Sequence, residues 1–456
     1  MATDSLGNPV TGGDAERRAI DGFVEGFLAY EQTAADILGA AERHPANSLI
    51  NAYAGLLWML LEAPEAPARA RKYLERARAS APGVTPRERL IVQVLDAWIA
   101  DDIPLTLRLC DQIAAAFPRD LPMVKLGQYL NFNEGRFAEM LRAGQAVFEA
   151  NRDSAPMHAM MAFAYEQCHL LEEAEGFARE ALRLERKEPW AQHALAHVML
   201  TQGRIDEGAA FMEGVQDTWV GLNSFMVTHL WWHLALFYLS QGRFDEVLAI
   251  YDDHAWGVAK DYSQDQVGAV SLLARMELAG VDVGDRWSDV ADHLAARGPD
   301  TTQPFLTAQY LYGLARAGRP QADALMAAVR ARDGQTWREV ATPLCEGLLA
   351  HARGDYGGAQ AALTAALPGL LTLGGSHAQR DLFEQFRLDA ILRSGDGSMA
   401  QQLLEQRRAS DRDGVPVNRA LARVYATLGL PKEAAKAEAR ARRTLAARPP
   451  MRKVPA

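Results

Sequence analysis

EPWAQHALAHVMLTQGRIDEG at 188–208 and THLWWHLALFYLSQGRFDEV at 228–247 decide the reading of this chain. Each segment holds two histidines four residues apart, His193 with His197 and His229 with His233, in an apolar pattern that ends at Gln-Gly-Arg. Residues four apart share one face of an α-helix, about one turn up. Two histidine-bearing helix faces therefore follow one another at matching places in a repeated unit.

The unit has a measurable period. Gly135-Arg136-Phe137 returns as Gly203-Arg204-Ile205, 68 residues on, which is twice 34. It returns again 39 residues later as Gly242-Arg243-Phe244, with the five extra residues in the Trp219–Phe225 linker. Ala174 stands 34 residues after Met140 and 34 before Gly208. Thirty-four residues is the tetratricopeptide period. Small residues recur where paired helices must touch: Ala162, Ala174, Ala178, Ala181, Ala196, Ala235, Ala422 and Ala434. Paired helices approach closely only where side chains are small, and a glycine between them supplies the left-handed turn.

Twelve helix pairs are expected, near 14–43, 47–80, 87–116, 121–151, 154–186, 189–216, 225–254, 263–297, 301–332, 336–370, 376–408 and 415–446. Strand signals are absent, and the breaks at Pro82-Gly83, Gly284 and Gly395-Asp396-Gly397 fall between helices. The fold class is all-α, a tetratricopeptide-like right-handed superhelix. It is read as one array over 17–446, best defined over 121–254, with loose ends at 1–16 and 447–456.

Composition narrows the function. The chain has 456 residues, is 49% hydrophobic and carries a net charge of −10. Phosphate neutralisation needs a basic face, so nucleic acid is not the expected partner. The basic run ARARRTLAARPPMRK at 439–453 reads as a solvated last helix running into a frayed end. Cys110, Cys168 and Cys345 are too few and too scattered for a disulfide framework or a cysteine zinc site. No signal peptide and no stretch of 18 apolar residues is visible, so the expected setting is cytoplasmic, away from membranes.

The run from about Pro156 to Tyr425 resembles the tetratricopeptide repeat protein 38 family. The likeness rests on HALAHVMLTQGRIDEG (193–208), THLWWHLALFYLSQGRFDEVLAIYD (228–252) and GGSHAQRDLFEQF (374–386). It covers 156–425 and implies an all-helical repeat fold in a cytoplasmic setting. It implies little about chemistry.

In such repeats the first helix of each pair lines the concave groove. His193 would then approach His229, and His197 would approach His233. A structural reading has each ring packed among Trp190, Trp231 and Trp232. A functional one has neutral imidazoles holding a divalent metal such as zinc, for which i,i+4 histidine pairs are suited. No glutamate lies inside either motif, so an acidic ligand or base would come from elsewhere, Asp265 or Glu166 being the candidates. Ser263 and Gln266 also read as a capping box that accounts for Asp265 at a helix start. His158 reads as a core histidine or a ligand contact, and Trp232 and Tyr129 could floor the groove. In GGSHAQRD, Ser376 and Gln379 fit a capping box, while His377, Arg380 and Asp381 form either an Arg–Asp pair or an anion-facing helix start. The expected function is a His/Trp-lined pocket for a small ligand, with metal-assisted chemistry open. The alternative is a scaffold that takes a peptide or partner protein in the groove. Homo-oligomerisation is left open by the sequence.

Overall fold

The computed structural model describes residues 2–80 and 83–447. Among them the helices follow one another as twelve pairs. They are Asp14–Leu28 with Asp36–Arg43 (α1, α2), Ser48–Met59 with Ala66–Ser80 (α3, α4), Pro86–Ile99 with Ile103–Ala116 (α5, α6) and Leu121–Asn133 with Phe137–Val147 (α7, α8). Next come Ala155–Gln167 with Leu171–Leu184 (α9, α10), Pro189–Thr201 with Ile205–Val215 (α11, α12), Ser224–Gln241 with Phe244–Ile250 (α13, α14) and Ser263–Leu278 with Arg286–Ala296 (α15, α16). The last four are Pro304–Arg316 with Gln321–Arg330 (α17, α18), Thr342–Ala352 with Tyr356–Ala366 (α19, α20), His377–Ser394 with Gly397–Ser410 (α21, α22) and Val415–Thr427 with Pro431–Ala446 (α23, α24). The architecture is the expected all-α array of tetratricopeptide type.

One backbone device makes the pairs. At each Gly-Arg repeat the glycine takes a left-handed φ, 67° at Gly135, 69° at Gly203 and 71° at Gly242. The next N–H then reaches five residues back: Arg136 to the Asn131 carbonyl, Arg204 to Met199 and Arg243 to Tyr238, each at 2.8 Å. That is the Schellman closure, which satisfies the last carbonyls of the first helix and reverses the chain into the second. Where the sequence is degenerate the same bond persists, as from Leu170 to Tyr165, with His169 left-handed in place of glycine. The helix faces then meet at the small residues: Ala162, Ala174, Ala178, Ala181, Ala196 and Ala235 are all 0% exposed.

Contacts gather the chain into two compact units. The first holds residues up to Leu195 together with Thr218–Met226; the second holds Ala196–Asp217 and the residues from Val227 on. The sequence reading treats 17–446 as one array, whereas the division falls inside α11 and near the start of α13.

In the first unit the N-terminal residues differ from expectation. Residues 2–13 are held, not loose: Ala2–Thr3 pairs antiparallel with Pro9–Val10, and α1 begins at Asp14. The physical reason is charge. Arg87, 0% exposed, pairs with Asp4 at 3.1 Å and with Asp120 at 2.6 Å, and also donates to the Tyr53 hydroxyl and the Pro9 carbonyl. A buried guanidinium needs such partners, and Asp4 draws the N-terminal segment in with it. Of the expected loose end at 447–456, and of the break at Pro82, residues 82 and 448–456 lie outside the described residues. The basic run at 439–453 is helical as far as Ala446.

The second unit doubles back on itself. Gly203 leaves no room for a Cβ beside the Ser410 carbonyl, and Ser240 Oγ donates to Asp411 at 2.8 Å. A crevice of about 600 Å3 lies where the turns at 202–206 and 240–243 meet the 409–414 connection. Deeper in the unit, Arg275 on α15 reaches α21. Ala235 on α13 is fully buried in this unit. Ala235→Leu is expected to lower stability by about 1–3 kcal/mol through overpacking, read from the midpoint of urea unfolding.

Candidate functional site

The second unit brings imidazoles from three helices together. His197, near the end of α11, and His233, in the middle of α13, are both 0% exposed, with ring centroids 4.5 Å apart. The expected approach of His197 to His233 is thus present. His229, one turn earlier on α13 and half-buried, meets His233 edge to face at 4.8 Å and 89°. One ring nitrogen from each of His197, His229 and His233 lies within 4.8 Å of the others. His377, the first residue of α21, adds a fourth ring from the far end of the sequence, edge to face with His197 at 5.3 Å. Burial, and then the His197 ring beside it, holds the His229 imidazole down to about 3. His229 is therefore neutral at pH 7, with a lone pair available to a metal.

An aromatic and charged wall backs this centre. Trp232, 2% exposed, lies parallel to His229 at 5.3 Å and edge-on to His233 at 4.9 Å. The Arg275 guanidinium, 3% exposed, stands 5.7 Å from the Trp232 ring centroid. It donates to Asp381 at 3.1 Å and to the Ala378 carbonyl at 2.7 Å. Arg407 grips the same carboxylate with two bonds, 2.6 and 2.8 Å, and Gln385 adds a third donor. Burial works to raise the Asp381 carboxyl, yet Arg407 and then Arg275 hold it well below the usual carboxylate range.

The other residues singled out from sequence have defined neighbours. His193 lies one turn before His197 on α11 but belongs to the first unit, where it stacks on Trp190 at 4.4 Å and meets Phe163 at 5.2 Å. The two Asp265 oxygens accept from Thr228 Oγ1 at 3.1 Å and the Ala259 N–H at 3.1 Å. The capping box expected at Ser263 and Gln266 does not form, because Tyr262 occupies the cap and the Gln266 amide turns back to the Lys260 carbonyl. His158, in the first unit, is a core histidine; its Nε2 bonds the Arg152 carbonyl at 2.8 Å, and its ring packs on Phe148 and Phe177. Tyr129, also there, donates to Glu62 and packs on Trp98. Glu166 is 0% exposed and accepts from the Gln167 amide.

Around α21 the capping box of Ser376 and Gln379 forms as expected. Arg380 does not pair with Asp381. Buried at 7% exposure, it donates to the carbonyls of Gly374 and Gly375, the loop it follows. Asp381 takes its arginines from α15 and α22 instead. Arg407 had no sequence signal, since an arginine beside Arg408 in a polar helix looks like any solvated one.

No family model matches the chain. Among solved structures, a human IFIT1 dimer with PPP-AAAA is similar at 13% identity and a TM-score of 0.42, covering 95% of this chain and 100% of that one. The APC/C hetero-tetramer Cut9–Hcn1 is similar at 12% identity and 0.30, covering 95% of each chain. Naa15/Naa10 bound to HypK-THB gives 13% and 0.25, covering 95% of this chain and 64% of that one. At these scores the likeness goes no further than the helical-repeat character already described.

The Asp381 cluster has a defined pH signature. Its folded carboxyl titrates below the unfolded value of about 3.9, so its stabilisation is complete above that pH and fades as pH falls through the folded value. Asp381→Asn, which leaves Arg275 without an anionic partner, is expected to cost about 1–3 kcal/mol at pH 7. Urea unfolding of both proteins should show that difference shrinking as the pH is lowered from about 4 toward 2.

Proposed function

We propose that the second unit carries a small-ligand site centred on His197, His229 and His233, whose imidazoles hold a divalent transition metal, zinc being the first choice. The observation that carries this is the meeting of one ring nitrogen from each within 4.8 Å, two of the rings fully buried. With Zn–N bonds of about 2.0–2.1 Å, tetrahedral ligands stand about 3.4 Å apart, so modest rotamer shifts close the distance. Buried imidazoles are costly in a merely structural array, where leucine would fill the same space without polar atoms. Three protein nitrogens leave one position open, the arrangement of metal sites that bind or activate a small molecule. His193 completes the four-histidine set read from the sequence, and a variant decides whether it takes part.

The site's makeup favours a small ligand over a peptide. His, Trp and Leu fill the faces of α11 and α13 on which a peptide-binding array would carry exposed Lys, Arg and Asn. The resemblance of 156–425 to the tetratricopeptide repeat protein 38 family belongs to the same proposal. So does a cytoplasmic setting; among the described residues no helix is long and apolar enough to cross a membrane. The net charge of −10 argues against a nucleic-acid polyanion as general partner.

Elemental analysis of freshly purified protein tests the reading. About one zinc or similar ion per chain is expected. His197→Ala and His233→Ala should each lose it while keeping helical circular dichroism, and His158→Ala should keep it. His193→Ala separates a three-ligand centre, metal retained, from a four-ligand one, metal weakened. Wild-type protein that carries no metal and shows no thermal shift with added Zn2+ or Co2+ sinks the proposal.

A further inference from the structure

The indole of Trp232 is 2% exposed, and its Nε1–H has no hydrogen-bond partner. An indole nitrogen only donates. Buried donors are almost always paired, so a lone one inside a cluster of imidazoles asks for an acceptor that the protein itself does not supply. The ring is in contact with two of the three proposed ligands, parallel to His229 and edge-on to His233. An acceptor for Nε1 would therefore belong to whatever occupies the histidine centre.

The charges around it specify what kind of acceptor. Arg275 and Arg407 share one carboxylate, Asp381. Asp411 and Glu384 also lie near Arg407. Arg275 is the guanidinium of the two that faces the Trp232 ring. The start of α21, an 18-residue helix, enters the same corner with His377 against His197. Its approach is rigid: Gly374 and Gly375 both take left-handed φ, and a Cβ on Gly375 would come within 2.6 Å of the Phe305 ring. Arg380 braces that turn from behind through the two glycine carbonyls. A helix N-terminus, a buried arginine and a metal ion all favour negative charge. A water molecule would take the indole hydrogen but would not offset that charge.

We propose that the ligand of the histidine centre is a small oxyanion, a carboxylate or phosphate group, that binds at the open metal position, accepts the Trp232 Nε1–H and is contacted by His377. This rests on the metal reading above. His377 meets the His197 ring edge to face, which puts it beside a ligand held at the centre.

The test uses full-length protein loaded with Co2+, whose visible absorption reports its coordination. Inorganic phosphate and acetate are titrated separately, and the tighter of the two names the class. A saturable spectral change is expected with one or both. Trp232→Phe keeps the stacked ring and loses the donor, and His377→Ala loses the second contact. Each should keep Co2+ and weaken the anion roughly tenfold. Anions that leave the bound-Co2+ spectrum unchanged overturn the proposal, and so do variants that bind them like wild type. Loss of Co2+ in His377→Ala also overturns it, because His377 would then be a metal ligand. If Co2+ does not bind at all, the earlier metal reading has failed. Thermal shifts of metal-free wild type and Trp232→Phe with the same two anions then decide the oxyanion reading: stabilisation of wild type alone supports it, and equal or absent shifts overturn it.

Discussion

Two helix backbones approach most closely where nothing larger than a methyl group stands between them, and this chain places such residues along α9 to α13. Ala162, Ala178, Ala196 and Ala235 are fully buried for that reason, and Gly208 lets the Phe237 ring lie flat where a side chain would collide. The small residues occupy the faces where helices touch, within a pair or between one pair and the next. Everything larger on the same helices is turned elsewhere. On α11 and α13 that remainder is histidine and tryptophan, so the packing rule that builds the scaffold also presents the rings.

This explains why the fold was legible and the site only partly so. Period, small-residue positions and turn glycines are local properties, and each leaves a mark in the sequence at the place where it acts. The left-handed Gly203 beside Arg204 can be read from three letters. The i,i+4 histidine pairs are equally local, and the approach of His197 to His233 follows from stacking one repeat on the next. His377 against His197, and Arg407 on Asp381, join repeats far apart in the chain, and no local pattern encodes them. Asp265 accepts from Thr228 and from the backbone of the preceding loop, neither of which periodicity reveals. The polar N-terminal residues suggested looseness, since what holds them is one buried arginine and not apolar surface.

The two units settle buried arginine in opposite ways. In the first, one guanidinium, Arg87, serves two carboxylates, Asp4 and Asp120, and burial leaves the Asp4 carboxyl raised above its ordinary value. In the second, two guanidiniums serve one carboxylate, and Asp381 is driven the other way. The first cluster carries an excess of acid and ties down a chain end. The second fixes two arginines on one carboxylate beside the histidine centre.

The bond from Ser240 to Asp411 joins residues 171 positions apart, and Arg275 meets Asp381 across 106. A repeat array whose members touch only their neighbours can nucleate anywhere, zip along its length and fray from its ends. The second unit is closed by contacts of much longer reach, so most of the chain between them must be in place before those contacts stabilise anything. It should therefore assemble slowly for an all-helical protein and come apart as a whole, with its last repeats protected against hydrogen exchange nearly as well as its middle ones.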